Sequence, residues 1–397
     1  MHLFHELTGE VPQRLNAEGV LMQMARDQQL DGLRAVAVTM VLYAHFFAAD
    51  GSPWGHLGVR LFFILSGFLI TRLLLDARDA ARFEPVTALR SFYARRALRI
   101  FPPYFAVLAA VFFLDMVRSR EVLAWHALYL SNFWYALQNE WAPWVLCHTW
   151  SLSIEEQFYL VWPLIVLLVP RRSVAGVCLG VIVCSLAYRF YWPLTGTPSI
   201  ARDLLPPASM DALAAGALLA ARPSWRAAWP RWARLSWLPL SLAALVLWVK
   251  PVPMTPVIAW LAWIGLEVFP LLPLAVLVGS CSKGIGGPAG RLIALSPLAA
   301  LGRISYGVYL FHAVVLALVV QAQPLIPVNV SSQGAGRFVV AGALTLLLAS
   351  ASWLLFERPL NGLKRHFPYV RPDGGAGAAI AVPGTRRDEA LQPQNLR

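Results

Sequence analysis

The sequence predicts an all-α fold, a polytopic transmembrane helical bundle, and three observations predict it. Of 397 residues, 58% are hydrophobic and only 14% charged, against roughly 25% charged in a soluble globular domain. Mean hydropathy is +0.58. Apolar runs long enough to cross a bilayer as helices recur along the whole chain. The ten-residue alternating segments of a membrane barrel are absent.

About ten spans are expected, near 33–49, 57–75, 100–117, 151–169, 173–192, 208–221, 235–249, 256–280, 304–323 and 337–356. The sixth is short and the eighth long. The stretch "EVLAWHALYLSNFWYAL" at 121–137 is more polar and aromatic, and it reads as an interfacial or loop-embedded helix. Loop charges set the orientation. Arg72, Arg78, Arg82, Arg90, Arg95, Arg96 and Arg99 follow span two, and Arg171 and Arg172 follow span four. Arginines and lysines crowd the loops after spans six and eight in the same way, whereas "DGSPWGH" and "QPLIPVNVSSQGAG" carry none and the loops after spans three and five carry a few arginines over longer stretches. The alternation places both termini in the cytoplasm and requires an even span count.

Residues 1–29 hold no apolar stretch with a small-residue cleavage site, so they are expected to be a cytoplasmic N-terminal segment and not a cleaved signal. Residues 30–360 form the membrane domain. Residues 361–397 end in a Gly/Pro/Ala-rich polar tail, expected in the cytoplasm and disordered, leaving no room for a second domain. The net charge of +12 is mostly arginine excess that punctuates apolar spans, which argues against nucleic acid as a partner. It suits either membrane orientation or an anionic ligand at the cytoplasmic face. Cys147, Cys178, Cys184 and Cys281 are scattered, with neither disulfide nor metal spacing, and no metal is expected.

Span one, "LDGLRAVAVTMVLYAHF", carries Arg34 and His45 eleven residues apart. On an α-helix that is roughly 16 Å of rise and about 20° past three whole turns, so both lie on one face. Asp31 is near the same face. Ionisable groups within spans are costly and usually face a bundle interior or a wet cavity. On its own His45 could equally hydrogen-bond a neighbouring helix, and Arg34 could snorkel to the interface. The shared face makes the pair more informative than either member.

Span four, "CHTWSLSIEEQFYLVWPL", enters with His148, Ser153, Glu155, Glu156 and Gln157 in its first two turns. Glu155 and Glu156 point about 100° apart, so one of the two is expected to face the pocket lined by span one. A carboxylate there would orient His45 and stabilise its protonated form. In "SFYARRALRIFPPY", Arg96 and Arg99 are three apart on one helix face, a spacing that suits phosphate recognition; Arg95 reads as an interfacial anchor. "GRISYGVYLFHA" adds Tyr306, Tyr309 and His312 in span nine, and "SWLLFERP" puts Glu357 at the end of span ten. Taken singly, these are more economically read as structural hydrogen-bonding residues.

Together, "LDGLRAVAVTMVLYAH", "LGVRLFFILSGFLITRLLL", "FYARRALRIFP", "HTWSLSIEEQFYLVWP", "ISYGVYLFH" and "WLLFERP" make the chain resemble the acyltransferase-3 family of integral-membrane O-acyltransferases. The six stretches occur in the family's order. The resemblance implies ten spans, a multi-pass place in a bacterial inner (cytoplasmic) membrane, and transfer of an acyl group, often acetyl from acetyl-CoA, to a sugar hydroxyl. It implies functional roles for Arg34, His45, Arg96, Arg99 and Glu357. Acyl-CoA is then the donor substrate and a glycan or glycolipid the acceptor, with membrane lipid around the bundle. On this expectation His45 is the general base, Glu155 or Glu156 holds the imidazolium, and Arg34, Arg96 and Arg99 bind the donor's phosphates. Arg34 is too far along the helix to touch His45. Some relatives carry a fused extracytoplasmic hydrolase-like domain; this chain is expected to act alone. The alternative is a transporter whose buried His, Glu and Arg residues form a proton or substrate path.

Overall fold

A computed structural model describes residues 17–48, 52–195, 199–224 and 268–369. Among them the regular structure is helical, with no strand. Seven helical segments are long and apolar enough to cross a membrane: Pro53–Arg78 (α2), Pro85–Leu114 (α3), Thr149–Leu168 (α5), Arg171–Trp192, Ala201–Ala221, Ser296–Gln321 (α9) and Ala335–His366. The fourth belongs to α6 (Arg171–Thr195), the fifth contains α7 (Pro207–Ala221), and the last begins with α10 (Ala335–Ser352).

The first expected span is helix α1 (Ala17–Phe46), longer at its start than its apolar core. It is not among the seven, because Asp31, Arg34 and His45 dilute its hydropathy. Its first part is held by polar contacts. Arg26 donates to the carbonyl of Lys283 at 3.0 Å, and the Gln29 amide to that of Ile285 at 2.9 Å. The stretch expected at the interface forms short pieces, Met116–Val122, Leu123–Ala127 and Ser131–Gln138 (α4), none of spanning length. Helix α8 (Leu271–Cys281) occupies the end of the expected eighth span. The expected seventh span and the rest of the eighth lie outside the described residues, as does the tail beyond 369.

Helix α2 lies at the centre, packed against α1, α5 and α7, while α9 packs along α1 and α10. Small residues allow this. A Cβ on Gly67 would stand 1.9 Å from the carbonyl oxygen of Leu213, and one on Gly216 would stand 2.0 Å from that of Ile64. Helices α2 and α7 therefore meet backbone to backbone, the close approach that small residues permit in a membrane bundle. Gly302 of α9 meets the carbonyl of Asp31 in the same way. That contact locks the two helices that carry Arg34, His45, Tyr306, Tyr309 and His312.

The same core buries an ion triad. Asp211 (0% exposed) receives Arg60 at 2.7 Å and faces the Nε of Arg189 at 3.5 Å, with both arginines 1% exposed. A lone cation in hydrocarbon is expensive, so each guanidinium is placed where the shared carboxylate compensates it. The triad ties α2, α6 and α7 together.

Candidate active site

A cavity enclosing about 740 Å³ of empty space, part of it open to solvent, lies between α1, α2, α3, α5 and α9. Its walls include Arg34, Arg96 and Arg99 with Glu155 and Glu156, and Ser66, Tyr159, Tyr306 and Tyr309. Three guanidiniums from two helices face one space.

Each is differently held. Arg34 donates from one Nη to Asp31 at 2.8 Å; the aspartate is 4% exposed and the arginine 23%. Two positions of one helix face thus form an ion pair that points the guanidinium. Arg96 lies over the rings of Phe92 (5.6 Å) and Tyr159 (5.1 Å), a cation–π seat at the cavity wall. Arg99 makes no hydrogen bond or ion pair among the described residues, although it lines the cavity. Arg95, one position from Arg96, points elsewhere. It donates to the carbonyls of Lys364 and Phe367, both at 3.1 Å, and lies over Tyr369, strapping the segment after α10 to α3. Where an interfacial anchor was expected, Arg95 is a buried strap between two segments of the chain.

Both glutamates line the cavity, where one was expected. A 100° offset at the backbone does not separate two long side chains when a wide space fills the angle between them. Glu155 accepts from Ser66 at 2.5 Å, and Tyr159 donates to the same Ser66 oxygen at 3.2 Å. The partner expected for His45 was one of these carboxylates. The structure gives it a histidine instead.

His45 does not line the cavity. Its ring is exposed, and its Nδ1 lies 2.8 Å from Nε2 of His312. The rings are parallel to within 6° with centroids 4.9 Å apart, so the facing nitrogens lie on the line between them, and the contact is an edge-to-edge hydrogen bond. His312 is fully buried, and its Nδ1 meets the Tyr309 carbonyl at 2.5 Å. His148 packs edge-on against His312 at 4.8 Å and bonds the Leu310 carbonyl through Nε2 at 3.1 Å. Its Nδ1 is buried without a hydrogen-bond partner. Tyr309 joins the two regions: it lines the cavity, and its ring centroid lies 5.5 Å from that of His312 and 5.6 Å from that of His148. Its hydroxyl bonds Ser151 at 2.6 Å and the His148 carbonyl at 2.9 Å. Cavity and histidines are one aromatic ring apart.

The remaining candidates divide. Tyr306 lines the cavity and donates to the Ile100 carbonyl at 2.9 Å. Ser153 bonds Ser131 at 2.8 Å in a buried network with Thr149 and His126, which fixes α4 against α5 and does not reach the cavity. Glu357, 4% exposed, ends a π-helical turn (Trp353–Glu357) and accepts from Ser352 at 2.8 Å. It sits behind α9 near Gly307 and does not line the cavity. Among the described residues no group of three His, Cys, Asp or Glu side chains could hold a metal ion. The sequence reading missed the bond from Ser66 to Glu155 and the pairing of Arg60 and Arg189 with Asp211. Lone arginines amid apolar runs were the available signal for the pairing.

The acyltransferase-3 family model, described as an acyltransferase domain, matches residues 27–355. The chain belongs to this family. The peptidoglycan O-acetyltransferase OatA of Listeria monocytogenes is 28% identical over 379 residues, covering 85% of this chain and 56% of that protein. YrhL of Bacillus subtilis, provisionally named a peptidoglycan O-acetyltransferase, is 29% identical over 365 residues, covering 84% and 54%. The O-acetyltransferase OatA of Staphylococcus aureus is 37% identical over 155 residues, 36% of this chain and 25% of that protein. The chain thus spans about half the length of the first two relatives. No solved structure matches it.

Proposed function

We propose that the chain is a membrane-embedded O-acetyltransferase domain that moves an acetyl group from acyl-CoA to a sugar hydroxyl of a cell-envelope glycan or glycolipid. The observation that carries the reading is the cavity in which Arg34, Arg96 and Arg99 converge, built on the helix that also carries His45. Family membership sets transfer chemistry ahead of the transporter alternative, and two relatives named for peptidoglycan favour a glycan acceptor.

Counting α1 and the apolar stretches at 235–249 and 256–280 with the seven described spans gives ten, with both termini in the cytoplasm and the bundle in a bacterial inner membrane. The Arg34 end of α1 then faces the cytoplasm, where coenzyme A is found. The donor's phosphates bind the three guanidiniums, which offer planar forks of N–H donors matched to phosphate oxygens. Its pantetheine arm runs along α1 past Tyr309 towards His45, a rise of roughly 16 Å.

At His45 the acceptor hydroxyl gives its proton to the imidazole as its oxygen attacks the thioester carbonyl. The new C–O bond forms, the C–S bond breaks, and the departing sulfur takes the proton back from His45. Neutral imidazole near pH 7 suits both halves of that exchange. The exposed His45 ring leaves the acceptor a way in from the opposite side.

Thermal unfolding of the detergent-purified chain with coenzyme A tests the donor assignment. The midpoint should rise with coenzyme A and stay unmoved in an Arg96→Gln, Arg99→Gln double variant. A midpoint indifferent to coenzyme A in the parent chain would remove the donor from the account.

A further inference from the structure

We infer that His312 is the positioning residue that sets the tautomer of His45 and leaves Nε2 of His45 as the proton acceptor. The inference rests on the reading of His45 as the base and adds how that base is held. A backbone carbonyl can only accept, so the 2.5 Å contact with Tyr309 places a proton on Nδ1 of His312. A neutral imidazole has one N–H, so Nε2 of His312 is a bare lone pair. That lone pair accepts from His45 across 2.8 Å, so the proton of His45 sits on Nδ1. Its Nε2 is left unprotonated on an exposed ring.

The alternative protonation is disfavoured by burial. A doubly protonated His312 would be a cation with 0% exposure, beside a second buried histidine 4.8 Å away. His148 makes no hydrogen bond to His312: its Nε2 meets the Leu310 carbonyl, and its Nδ1 is buried without a partner. When His45 accepts a proton at Nε2, its Nδ1–H becomes a charge-assisted donor to the same lone pair, and the bond strengthens as charge develops. His312 touches no substrate in this scheme. It holds the ring and the proton.

The backbone makes the arrangement rigid. The carbonyl that orients His312 is three residues back on α9, within one helical turn. Gly302, lower on α9, fixes that helix against α1 at Asp31. At the far end of α1 the Phe46 carbonyl accepts from the amide of Gly334 at 3.0 Å, which secures the last turn carrying His45.

The test uses the full chain in nanodiscs with nitrogen-15-labelled histidine, and the His45 signals are assigned by difference from His45→Ala. The parent chain should show His45 protonated at Nδ1 and bare at Nε2. In His312→Ala that signature should be lost, with kcat down about 10- to 100-fold and KM for the donor unchanged. In His312→Gln the amide oxygen can take the place of the lone pair, and both the signature and most of kcat should return. A His45 that keeps Nδ1–H and full kcat in His312→Ala would overturn the inference, as would a parent chain protonated at Nε2. Should His312→Ala fail to fold, the parent signature and the glutamine variant still decide. Transfer surviving in His45→Ala would instead sink the base reading while leaving the tautomer result standing.

Discussion

The hydroxyl of Ser66 donates to a carboxylate oxygen of Glu155 at 2.5 Å, joining α2 to α5 inside the cavity. Ser66→Ala leaves that oxygen without its donor and the Tyr159 hydroxyl without its acceptor, at a cost of about 1–3 kcal/mol. Thermal unfolding should show the loss, while transfer persists within a few-fold. An inactive but stably folded Ser66→Ala would mean that this hydroxyl takes part in the chemistry.

Arg96 and Arg99 reach the cavity with little or no protein partner among the described residues, and on the proposed function their N–H groups bind the donor. Replacing either by glutamine removes a charge-assisted bond worth about 1.5–3 kcal/mol, or roughly 10- to 100-fold in donor affinity. Initial rates at varied acetyl-CoA should show KM raised by about that factor with kcat little changed. Arg95→Gln should behave differently, because that guanidinium serves the carbonyls of Lys364 and Phe367. Its expected effect is on thermal stability.

Asp211 is the shared counter-charge of Arg60 and Arg189 in the core. Asp211→Asn leaves two buried guanidiniums without it, a loss of about 3–5 kcal/mol. The yield of folded protein and the unfolding midpoint should both fall, and donor KM in the surviving fraction should not move.

Gly67 has no room for a side chain against Leu213. Gly67→Val must push α7 away from α2, and overpacking of this kind costs about 1–3 kcal/mol. Unfolding of the purified variant in detergent measures the cost, and Gly180→Val, where a Cβ meets nothing within 4 Å, is the control expected to be silent.

Much of this architecture was legible because helical periodicity is a property of sequence alone. Arg34 follows Asp31 at the spacing that pairs them, and Arg96 and Arg99 share a face and a cavity as their separation implies. What could not be read was which helices meet. The partner of His45 lies 267 positions away on α9, and no local pattern announces that distance. The adjacent glutamates seemed to offer a nearer partner, but α5 turns them towards the arginines. Ser66 illustrates the same limit. Its neighbour Gly67 serves the helix packing that a Ser-Gly step suggests, whereas the serine's own bond depends on where α5 comes to rest. Arg60 shows the reverse case: the signal was local, and its counter-charge on α7 was not.

The most direct measurement is acetyl transfer in membranes holding equal amounts of the parent chain or His45→Ala, given labelled acetyl-CoA and envelope glycan. Label should reach the glycan only with the parent chain, while coenzyme A still raises the unfolding midpoint of the variant. Label transferred at the parental rate by His45→Ala would contradict the reading of His45 as the base.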